Sequence, residues 1–167
     1  LTAIDQAVAF AGNAPSDAEV LGLLGLMDHR EVLNLLAAVL EKSLDQALDA
    51  FSLITARGHD PHILLEALLR EVKDMALFQS LGRESAYFQD HLQDSRQFYE
   101  SRMASVSLDE LQQLFQLFLE LENQLKESAF GRACFEMALV QACRVQPLVG
   151  VPELLGRARE LLRAGHA

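Results

Sequence analysis

Apolar residues recur every three to four positions along most of the chain, and no segment shows the alternation of apolar and polar residues that is typical of strands. Helix start and stop signals divide this repeating pattern into about eight to nine helices. Leu and Ala are abundant and Trp is absent, which favours packed helices over sheets. The sequence therefore predicts an all-α fold, a helical bundle.

Capping residues place the first predicted helices. One helix runs from Leu1 to Ala11, and Ser16 and Glu19 are the two ends of a capping box that opens a second, short helix. Asp28 is expected to cap the third helix, because a carboxylate there accepts hydrogen bonds from the free amides of the first turn. The chain opens directly in a helical pattern, so we expect it to be part of a longer protein.

The next two helices also have recognisable start signals. Ser43 or Asp45 begins one of them. Asp60 followed by Pro61 is a stronger signal, because proline fits the first helical position, where no backbone N–H is needed. The helix behind this signal is long and apolar on one side, and we predict that it ends at Gly82.

The second half of the chain holds further predicted helices. A polar helix is predicted from Ser85 to Met103. Ser107 and Glu110 form a second capping box, and the apolar arc behind it is too wide for one neighbour, so this helix is expected to pack on two sides. Proline and glycine residues after Gln146 interrupt the pattern, and a last helix is predicted from Pro152 to Ala164.

The predicted helix from Phe130 to Val145 carries two apolar stripes. The inner stripe, which one domain core can bury, consists of Phe135, Ala138, Leu139 and Ala142. The outer stripe consists of Phe130, Cys134 and Met137. A second stripe needs a second neighbour, either inside the same bundle or in another subunit, and both interpretations stay open. These three outer residues are our candidate subunit-interface residues.

The two cysteines, Cys134 and Cys143, do not pair with each other. They are nine positions apart, which is about 900° of rotation along a helix, so they lie on opposite sides of it. Side chains that diverge in this way cannot share a zinc ion or close a disulfide within the helix. We expect both to be small buried residues.

The net charge of −10 narrows the range of partners. Proteins that bind the nucleic-acid backbone, or anionic membranes, need clustered Lys and Arg, and no segment of this chain is strongly basic. We therefore expect weak affinity for DNA. No apolar run approaches the ~20 residues that cross a bilayer, and the first residues do not resemble a signal peptide, so a cytoplasmic location without a membrane partner is expected.

The sequence contains none of the common catalytic or ligand-binding motifs. The chain has no phosphate-binding loop, no nucleophile elbow and no His-Glu-x-x-His metal motif. His59, His62 and Glu66 are close enough in sequence to hold a metal ion. Asp60 between them is the natural cap of its helix, however, so a solvated helix start is the preferred interpretation. We assign no catalytic, cofactor-binding or metal-binding residues.

A short aromatic and basic stretch, RQFYESR at residues 96–102, also has two interpretations. Aromatic rings beside arginines can stack on single-stranded nucleic acid. Acidic residues on the same predicted helix offset the positive charge, and Tyr99 falls on its apolar stripe. Core packing is therefore the preferred interpretation for Tyr99.

Four stretches, in this order, resemble one protein family. They are DQAVAF at 5–10, LLGLMD at 23–28, ARGHDPHILLEALL at 56–69 and FEMALVQACRVQP at 135–147. Each motif alone is weak, but together they are similar to the gamma/tau subunit family of the bacterial DNA polymerase III clamp loader. The resemblance implies three parts: the C-terminal part of an AAA+ lid domain at 1–26, a helical collar or oligomerisation domain at 27–147, and a tail helix that starts a linker at 148–167.

In that family the collar domains hold ATPase modules in a five-membered ring that loads the sliding clamp on primed DNA during replication. The resemblance therefore implies an assembly role and no enzymatic activity for this chain, whereas its parent chain is a DNA-dependent ATPase subunit of the polymerase holoenzyme. ATP with magnesium, and a structural zinc, are expected only upstream of Leu1, so no cofactor is expected in this chain.

The resemblance also implies the partners. They are the other clamp-loader subunits, namely gamma/tau copies, delta and delta-prime, while the sliding clamp and primed DNA are reached only through domains outside this chain. Two alternatives from other classes remain: an unrelated helical adaptor that binds a partner helix, and a bundle metalloprotein built on His59 to Glu66.

Overall fold

The computed structural model describes residues 27–88 and 93–146. Six α-helices are found in these ranges: α1 (His29–Leu40), α2 (Leu44–Ala56), α3 (Pro61–Leu81), α4 (Gln93–Arg102), α5 (Leu108–Glu127) and α6 (Gly131–Ala142). A 3-10 turn, Ala86–Phe88, lies between α3 and α4. The described ranges contain no strand, so the all-α prediction is confirmed. The helices predicted within residues 1–25 and 152–164 lie outside the described residues.

Two of the predicted caps close their helices as the sequence indicates. The Asp28 carboxylate accepts a hydrogen bond of 2.9 Å from the backbone N–H of Arg30 at the start of α1. At the start of α3 the Asp60 carboxylate accepts one of 2.7 Å from the backbone N–H of His62, and Pro61 occupies the first turn. Each cap pairs a backbone amide that would otherwise lack a partner inside the helix.

The third cap, the predicted capping box of α5, is present with both of its hydrogen bonds. The Ser107 hydroxyl accepts a bond of 3.2 Å from the Glu110 N–H, and the Ser107 N–H donates one of 3.4 Å to the Glu110 carboxylate. The same carboxylate binds the Lys42 ammonium at 2.6 Å. Lys42 lies in the turn between α1 and α2, so the box also joins that turn to α5.

The prediction of one helix from Ser85 to Met103 is wrong. The chain forms the short 3-10 turn first, and α4 begins only at Gln93. The physical reason is the packing of Phe88, which is fully buried with its ring edge-on to Phe78 of α3, 5.1 Å between centroids. Met103, the predicted last residue of that helix, lies just after α4 and is 37% exposed.

Helix α5 packs against α3 on one side and α6 on the other, which confirms the prediction drawn from its wide apolar arc. Both pairs are antiparallel. The Gln79 side chain near the end of α3 donates to the carbonyl of Val106 before α5, at 3.0 Å. The Gln113 side chain near the start of α5 donates to the carbonyl of Gln146 after α6, at 3.5 Å.

The bundle thus has two ends, which we name after residues at their turns. The Ser107 end joins the α1–α2 turn, the end of α3, the start of α5 and the end of α6. The Pro61 end contains the start of α1 and the end of α2, where Arg57 forms an ion pair with Glu31. It also contains the start of α3 and the turn between α5 and α6.

A buried polar cluster holds α4 against α1 and α3. The Tyr99 hydroxyl donates to the Glu71 carboxylate at 2.8 Å, and the Ser95 hydroxyl lies 3.5 Å from the same carboxylate. The His29 ring lies 2.7 Å from the Ser95 hydroxyl and 3.7 Å from Glu71. Burial, and then the negative charge of Glu71, raise the pKa of Tyr99, so the phenol stays protonated and keeps its donor.

Candidate subunit interface

The inner stripe of α6 is part of the bundle core, as predicted. All four of its residues are buried, and Leu139 is fully so. The Phe135 ring stacks on Phe51 of α2 with 4.5 Å between centroids and 9° between planes. This contact, with those to α3 and α5, fixes the rotation of α6 about its own axis, and the rotation decides where the outer stripe points.

The outer stripe of α6 is largely exposed to solvent, whereas the inner stripe is buried. Phe130 is 76% exposed and Met137 is 58% exposed, while Cys134 between them is half-buried. The core that the described residues form therefore ends at the inner stripe. Large exposed apolar side chains that share one helix face are typical of surfaces that bind another protein.

Charged side chains border this outer stripe. The Arg132 guanidinium binds the Glu136 carboxylate at 2.9 Å, four residues along the helix. The same guanidinium lies 5.9 Å from the centre of the buried Phe51 ring, so Arg132 leans towards α2. An apolar stripe with a polar border is the usual arrangement of a protein–protein contact.

Sequence reasoning missed two further exposed apolar residues, Leu53 of α2 and Ile63 of α3. They are 60% and 59% exposed, and both lie towards the Pro61 end, where Phe130 also lies. The signal that could have found them is their position off the apolar stripes of their own helices. An apolar residue outside the stripe has no role in the core, so it indicates a possible contact surface in the same way as a second stripe does.

The two cysteines are both free, on opposite sides of α6 as predicted. Cys143 is buried, and burial raises the pKa of its thiol. Cys134 is only half-buried, so the prediction that both are buried is wrong for this residue, because it lies on the outer stripe, which the described neighbours cover only in part.

The other stretches considered for chemistry have structural roles in the described residues. The carboxylate of Asp60 is used as the helix cap, and the described ranges contain no cluster of three residues that could hold a metal ion. Tyr99 is buried in the core, which confirms the preferred interpretation of its stretch. Arg102 stacks on Phe98, 4.3 Å from the ring centre, and pairs with Glu41 at 2.8 Å.

None of the described helices is both long and apolar enough to cross a membrane. This finding agrees with the absence of a long apolar run in the sequence.

Comparison with known families identifies the class of protein. The family model for domain III of DNA polymerase III subunits gamma and tau matches residues 16–157. Because the match covers most of the chain, the chain belongs to this family, and the resemblance drawn from the four sequence stretches is confirmed. The match extends past both predicted boundaries of the collar domain, at residues 27 and 147, which remain predictions.

Curated relatives agree with this assignment. The chain is 21% identical over 157 residues to DNA polymerase III subunit tau of Bacillus subtilis (strain 168), covering 92% of this chain and 27% of that protein. It is 25% identical over 157 residues to DNA polymerase III subunit tau of Salmonella typhimurium (strain LT2), covering 92% of this chain and 23% of the relative. The chain thus spans about a quarter of the length of these relatives.

Proposed function

We propose that this chain is the collar, or oligomerisation, module of a clamp-loader subunit. In this role it holds ATPase modules, which lie elsewhere in the parent chain, in a five-membered ring that loads the sliding clamp on primed DNA. The observation that carries the proposal is the outer stripe of α6 in a bundle of this family, with Phe130 76% and Met137 58% exposed.

The outer stripe has the properties of an anchor for another subunit. Phe and Met are among the residues enriched at interfaces, and an anchor of this kind contributes on the order of 2 kcal/mol or more to binding. The inner stripe holds the backbone of α6 rigid through the stacked pair Phe51 and Phe135, so the outer residues need little reordering on binding. The border pair Arg132–Glu136 adds selectivity more than affinity.

The partners of this surface are the other clamp-loader subunits: further gamma/tau copies, delta and delta-prime. The sliding clamp and primed DNA are contacted by other domains of the complex, which agrees with the net charge of −10 and the lack of a strongly basic segment here. ATP with magnesium, and structural zinc, likewise belong to other parts of the parent chain. In this proposal the module itself positions the ATPase modules and catalyses no reaction.

The test is assembly of the chain with purified partner subunits, followed by sedimentation velocity. Phe130→Asp and Met137→Asp place a charge in the outer stripe and are expected to abolish assembly while circular dichroism stays helical. Leu81→Asp is the matched control, since Leu81 is 55% exposed but lies at the Ser107 end of α3, and it should assemble normally.

Normal assembly by both outer-stripe variants would remove this face from the interface. Loss of assembly by Leu81→Asp alone would move the contact to the opposite end of the bundle.

A further inference from the structure

An open groove lies over α5, bounded by α3 on one side and by the end of α6 on the other. Its volume is about 910 Å³. Half-buried apolar side chains from three parts of the chain line it, among them Leu77 of α3, Phe115 and Leu119 of α5, and Val145 after α6. The bundle core does not need this surface to be apolar, because α5 already buries its other faces against α3 and α6.

The chain itself leaves the described part of the molecule at this groove. Val145 lines the groove, and the carbonyl of Gln146, the last described residue, accepts the hydrogen bond from Gln113 of α5. The segment that follows therefore starts at the edge of the groove. Residues 147–151 can span at most about 17 Å when extended, which brings residue 152 within reach of most of the groove.

The sequence of the C-terminal segment fits an apolar groove. From Pro152 onwards, one face of a helix would consist of Leu154, Leu155, Ala158, Leu161 and Leu162. At 100° per residue these positions cover about 120° of the circumference. Arg157 and Arg159 fall on opposite edges of this stripe, each about 40° beyond it.

The charges of the two surfaces are complementary. Exposed carboxylates of Asp109 and Glu120 lie on the groove, where arginines at the edges of an apolar stripe would meet them. Lys73 is the cation among the lining residues, and its ammonium is already held 2.9 Å from the Asp74 carboxylate. The groove therefore favours an amphipathic helix with a basic border over one with an acidic border.

We propose that residues 152–164 form an amphipathic helix that docks into this groove of the same chain. Docking buries the half-exposed apolar side chains of α3 and α5, and it fixes the direction in which the chain leaves the bundle. The parent protein's next segment then starts from a defined point on the surface. The proposal goes beyond the collar role and does not depend on it.

Limited digestion with trypsin tests the docking, because the segment contains three arginines at positions 157, 159 and 163. Cleavage after them in the native chain should be slow. Leu161→Asp, on the segment, and Phe115→Asp, in the groove, should each accelerate it about tenfold or more. The matched control is Leu53→Asp, which changes an exposed leucine on α2 outside the groove and should leave the rate unchanged.

A second variant keeps the test decisive if Phe115→Asp does not fold. Asp109→Lys combined with Glu120→Lys changes only exposed side chains, and it should accelerate cleavage several-fold through charge repulsion. The proposal is overturned if the unmodified chain is cut as fast as the Leu161→Asp variant, or if the groove variants leave the rate unchanged. Protection that is lost on dilution would also overturn it, because the groove would then be filled by a second copy of the chain.

Discussion

The two stripes of α6 have similar apolar side chains and very different surroundings. Leu139 on the inner stripe is fully buried, whereas Met137, two residues earlier on the outer stripe, is 58% exposed. Periodicity in the sequence identifies both stripes equally well. A helical pattern thus shows which residues share a face, whereas the fold or a partner determines which elements cover that face.

Truncation of one residue on each stripe gives the largest expected contrast. Leu139→Ala should lower the free energy of unfolding by about 2–5 kcal/mol, the cost of a cavity at a buried leucine. Met137→Ala, on the exposed stripe, should change it by no more than about 0.5 kcal/mol. Urea unfolding followed by circular dichroism measures both, and similar losses for the two variants would erase the distinction between the stripes.

The reaction rates of the two cysteines give a second comparison of the buried and exposed faces of α6. Cys143 is buried and its thiol has a raised pKa, so a thiol reagent should modify it at least about tenfold more slowly than Cys134. In denaturing urea the two rates should become similar. Cys134→Ser identifies the slow site, and equal rates in the folded chain would contradict the assignment of the two faces.

The raised pKa of Cys143 also predicts how stability changes with pH. The unfolded chain releases the thiol proton near the ordinary value of 9.0, and the folded chain releases it only at higher pH. The contribution of this thiol is therefore fully present below pH 9.0 and is lost as the pH rises through the folded pKa. Cys143→Ala should show a weaker loss of stability between neutral and alkaline pH, measured by urea unfolding at each pH.

Phe130→Asp is expected to affect assembly without lowering the free energy of unfolding of the chain. Phe130 is the N-cap residue of α6 and its side chain makes no capping bond. Aspartate is a favoured N-cap and complements the helix dipole, so unfolding free energy should stay the same or rise by up to about 1 kcal/mol. Thermal and urea unfolding of the variant, with Phe130→Ala as the uncharged control, measure this. A clear loss of stability in both variants would place Phe130 in the core.

The smallest expected effect is that of the charged pair beside the outer stripe. A double-mutant cycle on Arg132 and Glu136, with each changed to Ala, should give a coupling of about 0.3–0.5 kcal/mol. The coupling should fall as salt is added, because both side chains are accessible to solvent. A coupling of several kcal/mol would show that this border is buried more deeply than the structure has it.

Local chemistry accounts for the helix boundaries that could be predicted. Asp28, Asp60 and the Ser107–Glu110 box each satisfy backbone amides within three residues along the chain, so the signal and its effect lie in the same short segment. The inner stripe of α6 was predictable for a similar reason, since its spacing alone places four apolar side chains on one face.

The sequence-based predictions fail where contacts with residues far apart in the chain determine the local structure or the exposure of a side chain. Phe88 lies in a 3-10 turn because its ring packs on Phe78 of α3, and no residue close to Phe88 in the sequence indicates that contact. Leu53 and Ile63 were missed because the exposure of a side chain depends on which other segments pack against it, and not on its residue type. The groove over α5 also requires three separated segments, and only the antiparallel arrangement shown by the Gln79 and Gln113 side chains brings them together.

The sequence was enough to identify the helical class, most of the helix starts in the described ranges, the family and the two stripes of α6. The tertiary structure alone decided that Phe130 and Met137 are exposed, that Cys134 and Cys143 differ in burial, and that α3, α5 and the end of α6 form a groove. The physical reason is the distance along the chain over which each effect acts. Capping and periodicity act within a turn or two of helix, whereas burial is the sum of contacts between segments far apart in the chain.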